Sequence, residues 1–92
     1  MVSRSVTVTN QLGMHARAAA RFVHAATAFQ AQVWVARGSR VMDGKSIMGI
    51  LLLAASKGSV ITISAQGADE QEAVDTLCAL VHARFGEEPC SA

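Results

Sequence analysis

Two hydrophobic periods alternate along this chain, and their order leaves few ways to fold it. Val6 and Val8 alternate with Ser5, Thr7 and Thr9, the period-two pattern of a half-buried strand. From Ala16 to about Ala28 the period lengthens. Ala19, Phe22, Val23 and Ala26 recur at three and four, while Arg17, Arg21 and His24 share a separate polar stripe. Alternation returns from Ala31 to Arg37, around Trp34, and Gly38-Ser39 turns the chain into a short edge strand at Arg40 to Met42. Ile47 to about Ala55 reads as a short helix closed by Lys57-Gly58, and Val60 to Ser64 as the most β-branched strand. After Gly67-Ala68 comes a long helix with Asp69, Glu70 and Glu72 in its acidic first turn. Val74, Leu77, Cys78, Val81 and Phe85 form its apolar stripe, and Arg84 complements its carboxyl end. The order β-α-β-β-α-β-α, with one apolar face per strand and one apolar stripe per long helix, implies an α+β sandwich with its helices on one side of one sheet. The first helix then crosses between two parallel strands by a right-handed connection.

Composition narrows the function. Ninety-two residues with 51% hydrophobic and 16% charged make one globular domain, 1–92, with 88–92 expected to be a flexible tail. A net charge of +1, no basic run, no tyrosine and few other aromatics argue against a nucleic-acid surface. The longest apolar run, Ile47 to Ala55, is too short to span a bilayer. The chain opens on a strand pattern in place of a basic, then apolar, leader, so a cytoplasmic protein is expected. A monomer is also expected. Cys78 falls on the apolar face of the last helix and Cys90 in the polar tail, an arrangement that suits two free thiols better than a disulfide in a reducing compartment. The cysteines and His15, His24 and His82 show no metal-ligand spacing, and no cofactor is expected. His82 has no partner that the sequence identifies.

Two positions carry chemistry. In Gly13-Met14-His15-Ala16-Arg17-Ala18-Ala19-Ala20, a histidine stands where a glycine-containing loop becomes an alanine-rich helix. The first N–H groups of a helix lack intrahelical partners, and the macrodipole adds partial positive charge. There a histidine can hold an anion against free N–H groups, those of Ala16 and Arg17, with the Arg17 guanidinium as a forked donor. Imidazole is also a nucleophile that is partly neutral near pH 7. On chemistry alone, though, a lone histidine near a helix start is more often a capping or surface residue. Ser46 likewise stands as the natural N-cap of the short helix. Gly44-Lys45-Ser46 is not the end of a nucleotide-binding P-loop, because the glycine needed five positions before Gly44 is Ser39.

The strand Val6-Thr7-Val8-Thr9 running into Asn10-Gln11-Leu12-Gly13-Met14 and then His15-Ala16-Arg17-Ala18-Ala19 resembles the active-site signature of the HPr family. These are the histidine-containing phosphocarriers of the bacterial phosphoenolpyruvate-dependent sugar phosphotransferase system. Asp43-Gly44-Lys45-Ser46-Ile47-Met48-Gly49-Ile50-Leu51 is similar to that family's regulatory-serine segment, at the matching distance, so the resemblance covers nearly the whole chain. It implies an open-faced sandwich: a four-stranded, mostly antiparallel sheet, the last strand lying between the first and second, with three helices on one face. It implies that His15 accepts the phosphoryl group on Nδ1 and that Arg17 helps to hold it. The chain would take this group from phosphorylated enzyme I and pass it to the A-domain of a sugar-specific enzyme II, as a regenerated intermediate and not a turnover catalyst. Ser46 becomes a regulatory phosphoserine, the target of an HPr kinase/phosphorylase.

Two positions depart from the pattern. Many members have proline where this chain has Ala18, and alanine should replace it there at little loss. Position 12, often asparagine or serine in sugar-transport members, is Leu12, as in many members of the nitrogen-related branch. A nitrogen-branch regulatory carrier is therefore the alternative, although the Gly-Lys-Ser-Ile-Met-Gly string favours the carbohydrate system. A remoter alternative is a small metal-binding or interaction module in which His15 is incidental, and which tight stoichiometric zinc binding would reveal.

The short helix has more apolar residues than one stripe needs. Ile50, Leu53 and Ala54 can face the sheet, leaving Ile47, Met48 and Leu51 as an exposed patch of the kind that marks docking surfaces. Ala20, Arg21 and His24 are its expected flank across the first helix.

Overall fold

The computed structural model describes residues 1–86; Cys90 and the 88–92 tail lie outside the described residues. In chain order the elements are β1 (Val2–Thr7), α1 (Ala16–Thr27), β2 (Gln32–Arg37), β3 (Arg40–Asp43), α2 (Ile47–Leu52), β4 (Val60–Gln66) and α3 (Glu70–His82), then a single 3-10 turn at Arg84–Gly86. The expected order is met, and every ladder of the β1-β4-β2-β3 sheet is antiparallel. β4 lies between β1 and β2, which therefore run parallel to one another, and α1 is the crossover between them.

Register sorts the side chains onto two faces. Val6 opposes Ile61 and Val35 opposes Ile63, and with Val33 and Ala65 these point toward the helices. Phe22, Ile50, Leu53, Val74, Leu77 and Val81 meet them there, all fully buried. On the other face the Ser3 and Ser64 hydroxyls pair at 2.8 Å, and those of Ser5 and Thr62 at 3.0 Å, a hydroxyl ladder that suits a wet surface. Trp34 lies half-buried on that face, opposite Asp43.

Four details correct the sequence reading. β1 is set two to three residues earlier than the Val6–Val8 alternation placed it. Val8 lies past the strand yet is fully buried, its N–H donating to the Ser59 carbonyl at 2.8 Å. α2 stops at Leu52 and not at Ala55, because the residue after its C-cap, Ala54, takes a left-handed φ of 52°. Ala54 is thereby exposed and does not face the sheet, while Ala55 turns into the core. Arg37 and Arg40 donate to the end carbonyls of Leu53 and Leu52 at 3.1 and 2.8 Å, satisfying groups that the helix leaves open. Finally, α3 ends at His82, so Phe85 fills the core from the turn beyond it, where Arg84 and Phe85 both have positive φ. Arg84 thus lies just past the helix, next to the C-cap Ala83, rather than within it.

Asp69 precedes α3 but caps nothing with its side chain. Its carboxylate instead accepts the N–H groups of Gln30 and Ala31 at 2.9 and 2.8 Å, tying the α1–β2 connection to the start of α3. The bond from Gln30 is the largest influence holding its pKa below the usual carboxylate value. Cys78 is buried in α3, and desolvation pushes its thiol pKa up, as befits a structural cysteine and not a reactive one.

Candidate functional site

The chain reaches His15 through a loop with several internal ties. The Gly58 N–H donates to the Val8 carbonyl at 2.7 Å, setting the loop beside the segment that leaves α2. Gly13, at φ +62°, lies so close to that segment that a Cβ would stand 2.6 Å from the Ala55 oxygen, which only glycine permits. Met14 then turns into the core, and its N–H donates to the Ala55 carbonyl at 2.8 Å. His15 follows with extended backbone (φ −71°, ψ 178°) as the N-cap of α1. Its carbonyl accepts the first intrahelical bond, from the Ala19 N–H at 2.8 Å.

The imidazole folds back over the helix end, and its Nδ1 accepts the Arg17 N–H at 3.2 Å. A nitrogen that accepts this bond offers its lone pair on that side, so in the tautomer matching this contact Nδ1 is the unprotonated nitrogen and Nε2 bears the hydrogen. The ring is part-exposed, and Ala16 and Arg17 are open to solvent. A group bonded to Nδ1 would stand against the N–H groups of residues 16 to 18, which precede the first helical bond, with the exposed Arg17 side chain beside it. Of the three histidines, His15 is the one at this position; His24 and His82 lie exposed in the last turns of α1 and α3.

Ser46 is the N-cap of α2, its Oγ accepting the Gly49 N–H at 3.1 Å. Lys45 donates to the Phe29 carbonyl at 2.7 Å, so its ammonium is committed to the end of the α1 segment. The apolar patch differs in membership from the one expected. Ile47 and Met48 are exposed (46% and 66%), but Leu51 is partly buried against the core, and Leu52, 53% exposed, completes the patch. Met48 and Leu52, four apart, share a helical face as readily as Met48 and Leu51 do, and packing against the core takes Leu51 inward. Ala20 and His24 are exposed on α1, as is Arg21, whose guanidinium donates to the Phe85 carbonyl in the C-terminal turn. That tie had no signal in the sequence, since it spans 64 positions.

Leu12, which departs from the pattern of the sugar-transport members, is 69% exposed near His15. Sequence reasoning passed over Asn10, which is 2% exposed and the one buried polar residue among those described. An asparagine in a polar turn reads as surface; only the packing of the loop reveals otherwise. Among the described residues no group of three or more histidines, cysteines or carboxylates could hold a metal, and no helix is long and apolar enough to cross a membrane.

Comparison with known proteins places these features in a family. Residues 2–83 match the family model described as the PTS HPr component phosphorylation site. The chain is 49% identical to phosphocarrier protein HPr of Cupriavidus necator over 95% of its own length and 98% of that protein's. The crystal structure of HPr-C-His from Thermoanaerobacter tengcongensis superposes with a TM-score of 0.92 at 43% identity, covering 96% of this chain and 99% of the other. Phosphocarrier protein NPr of Shewanella violacea is similar at a lower 38% identity, over 94% of both chains.

Proposed function

The chain belongs to the HPr phosphocarrier family, and we propose that its phosphoryl group is carried on His15 Nδ1. The donor is phosphorylated enzyme I and the acceptor the A-domain of a sugar-specific enzyme II. The observation that carries this reading is the Arg17 N–H directed at Nδ1. On transfer the Nδ1 lone pair forms the new N–P bond as the bond from phosphorus to the donor breaks. The phosphoryl oxygens then take over the N–H that Nδ1 had accepted, with those of Ala16 and Ala18, and the Arg17 guanidinium supplies positive charge. Handing the group on reverses these steps, so the protein is consumed and regenerated within each cycle.

Both partners dock, on this reading, over Ile47, Met48, Leu52 and the exposed edge of Leu51, with Ala20, Arg21 and His24 as flank. Ser46 then serves as a brake. A phosphate written there by an HPr kinase/phosphorylase stands beside the patch, opposes its desolvation and repels an acidic partner. The nitrogen-branch alternative has Leu12 in its favour. The Gly44-Lys45-Ser46-Ile47-Met48-Gly49 string and the greater identity to HPr than to NPr favour the sugar system. The working species is a cytoplasmic monomer.

Incubation with phosphoenolpyruvate and enzyme I, followed by mapping of the phosphate, tests the reading. One acid-labile phosphate on His15, absent from His15→Ala, is expected. Label on His24 or His82 in the intact protein would refute it.

A further inference from the structure

We propose that Asn10 is a positioning residue for phosphoryl transfer at His15, acting through the Gly13–Met14 peptide group. The inference rests on the reading of His15 as the phosphoryl acceptor. It starts from an anomaly in the packing: Asn10 is 2% exposed, a full amide held in an otherwise apolar interior. A buried amide persists where its hydrogen bonds are made, and it then fixes what it bonds.

Its target is specific. The Asn10 side-chain Nδ2 donates to the Gly13 carbonyl at 2.7 Å. A carbonyl can only accept, which settles which end of the amide faces it. The Asn10 backbone carbonyl meanwhile accepts the Gly13 N–H at 3.2 Å, closing the turn. The Gly13–Met14 peptide unit is thus held on both edges: its oxygen by Asn10 and its N–H by the Ala55 carbonyl at 2.8 Å. A peptide plane pinned on two edges cannot rotate. Met14, buried to 5% exposure, fixes the next step of the chain, and the direction in which His15 leaves the loop is set. That direction determines whether Nδ1 meets the Arg17 N–H. Neither Gly13 nor Ala55 can supply the missing hold, because Gly13 is the most permissive residue in φ and Ala55 acts only on the opposite edge.

Removing the amide should therefore loosen the imidazole without touching the docking surface. In the isolated protein, the ring-nitrogen NMR signals of neutral His15 should report Nε2–H as the dominant tautomer. In Asn10→Ala and Asn10→Asp this preference should weaken, since the Arg17 N–H no longer finds Nδ1 reliably. Turnover in phosphoryl transfer from enzyme I should fall by roughly tenfold to a hundredfold, as small misplacements of reacting groups do, with KM unchanged. Asn10→Asp keeps the volume of the side chain and carries both readouts should the alanine variant fail to fold. Val74→Ala, a core truncation in α3, is the control for stability loss alone and should leave tautomer and turnover as in the parent. A folded Asn10 variant with the native tautomer or native turnover would overturn the proposal. So would an equal fall in turnover in Val74→Ala. The tautomer measurement needs no partner, so absence of phosphate on His15 of the parent would refute the phosphocarrier reading separately.

Discussion

α1 and α2 begin alike and end differently. Each opens on a side-chain cap, His15 Nδ1 taking the Arg17 N–H at 3.2 Å and Ser46 Oγ taking the Gly49 N–H at 3.1 Å. From there α1 runs for 12 residues and buries Ala18, Ala19, Phe22, Val23 and Ala26, whereas α2 runs for six and buries Ile50 alone. Arg17 beside His15 has an exposed side chain, and its bond to the imidazole comes from its backbone, while Lys45 beside Ser46 is tied to the Phe29 carbonyl. A shared N-terminal geometry thus supports two different uses. At α1 a longer, well-buried helix offers N–H groups ahead of its first helical bond and an exposed cation, which on the proposed reading suit an anion that comes and goes. At α2 a short helix with an apolar outer surface offers a place where a new charge would interfere with contact.

The sharpest way to break this contrast is to remove the exposed cation. Arg17→Ala should slow phosphoryl transfer by about 10²-fold, the usual cost of losing one preorganised donor, with melting unchanged because the side chain is exposed. Arg17→Lys should restore only part of the rate, since a point charge lacks the planar fork. A parent-like rate in Arg17→Ala would remove the distinction between the two helix ends.

Next in size is a charge placed in the outer surface of α2. Met48→Glu should weaken binding to both partners by at least ~2 kcal/mol each, as at the desolvated centre of an interface. Melting should barely move, because Met48 is 66% exposed. Titration calorimetry and a thermal scan check both halves. A large drop in melting temperature with normal exchange would make α2 core and not dock.

Ser46 separates capping from regulation. Ser46→Ala should cost about 1 kcal/mol of stability and leave transfer intact. Ser46→Asp, whose carboxylate can still cap, should melt close to the parent yet accept phosphate from enzyme I more slowly. If both variants transferred at the parent rate, Ser46 would be a cap and nothing more. The smallest effect belongs to Ala54, whose left-handed φ of 52° ends α2. Ala54→Gly relieves roughly 1–2 kcal/mol of backbone strain and gives back part of it in unfolded-chain entropy, so denaturation should show a net gain of about 0.5–1 kcal/mol.

Much of this was legible beforehand, for local reasons. The alternation at Val33, Val35, Ile61 and Ile63 and the three-four spacing of Ala19, Phe22, Val23 and Ala26 each report burial of one face. Burial of one face is what the fold required of them. His15 and Ser46 were readable as caps because capping depends on residues two or three positions away. The misplaced features all depend on distant partners. Leu52 was missed because spacing allows either leucine to share a face with Met48, and only contact with the core decides that Leu51 turns inward.

The sequence by itself determined the element order, the apolar faces, the histidine at a helix start and the serine at another, since each follows from periodicity or from a capping contact a few residues long. Only the tertiary structure decided where β1 begins, which leucine of α2 meets solvent, that Asp69 holds the chain before β2, that Arg21 reaches Phe85 and that Asn10 is buried under the His15 loop. The physical reason is reach. A period or a cap is satisfied by neighbours in the chain, whereas a buried amide, a guanidinium or a reversed backbone is satisfied by groups that only folding brings alongside.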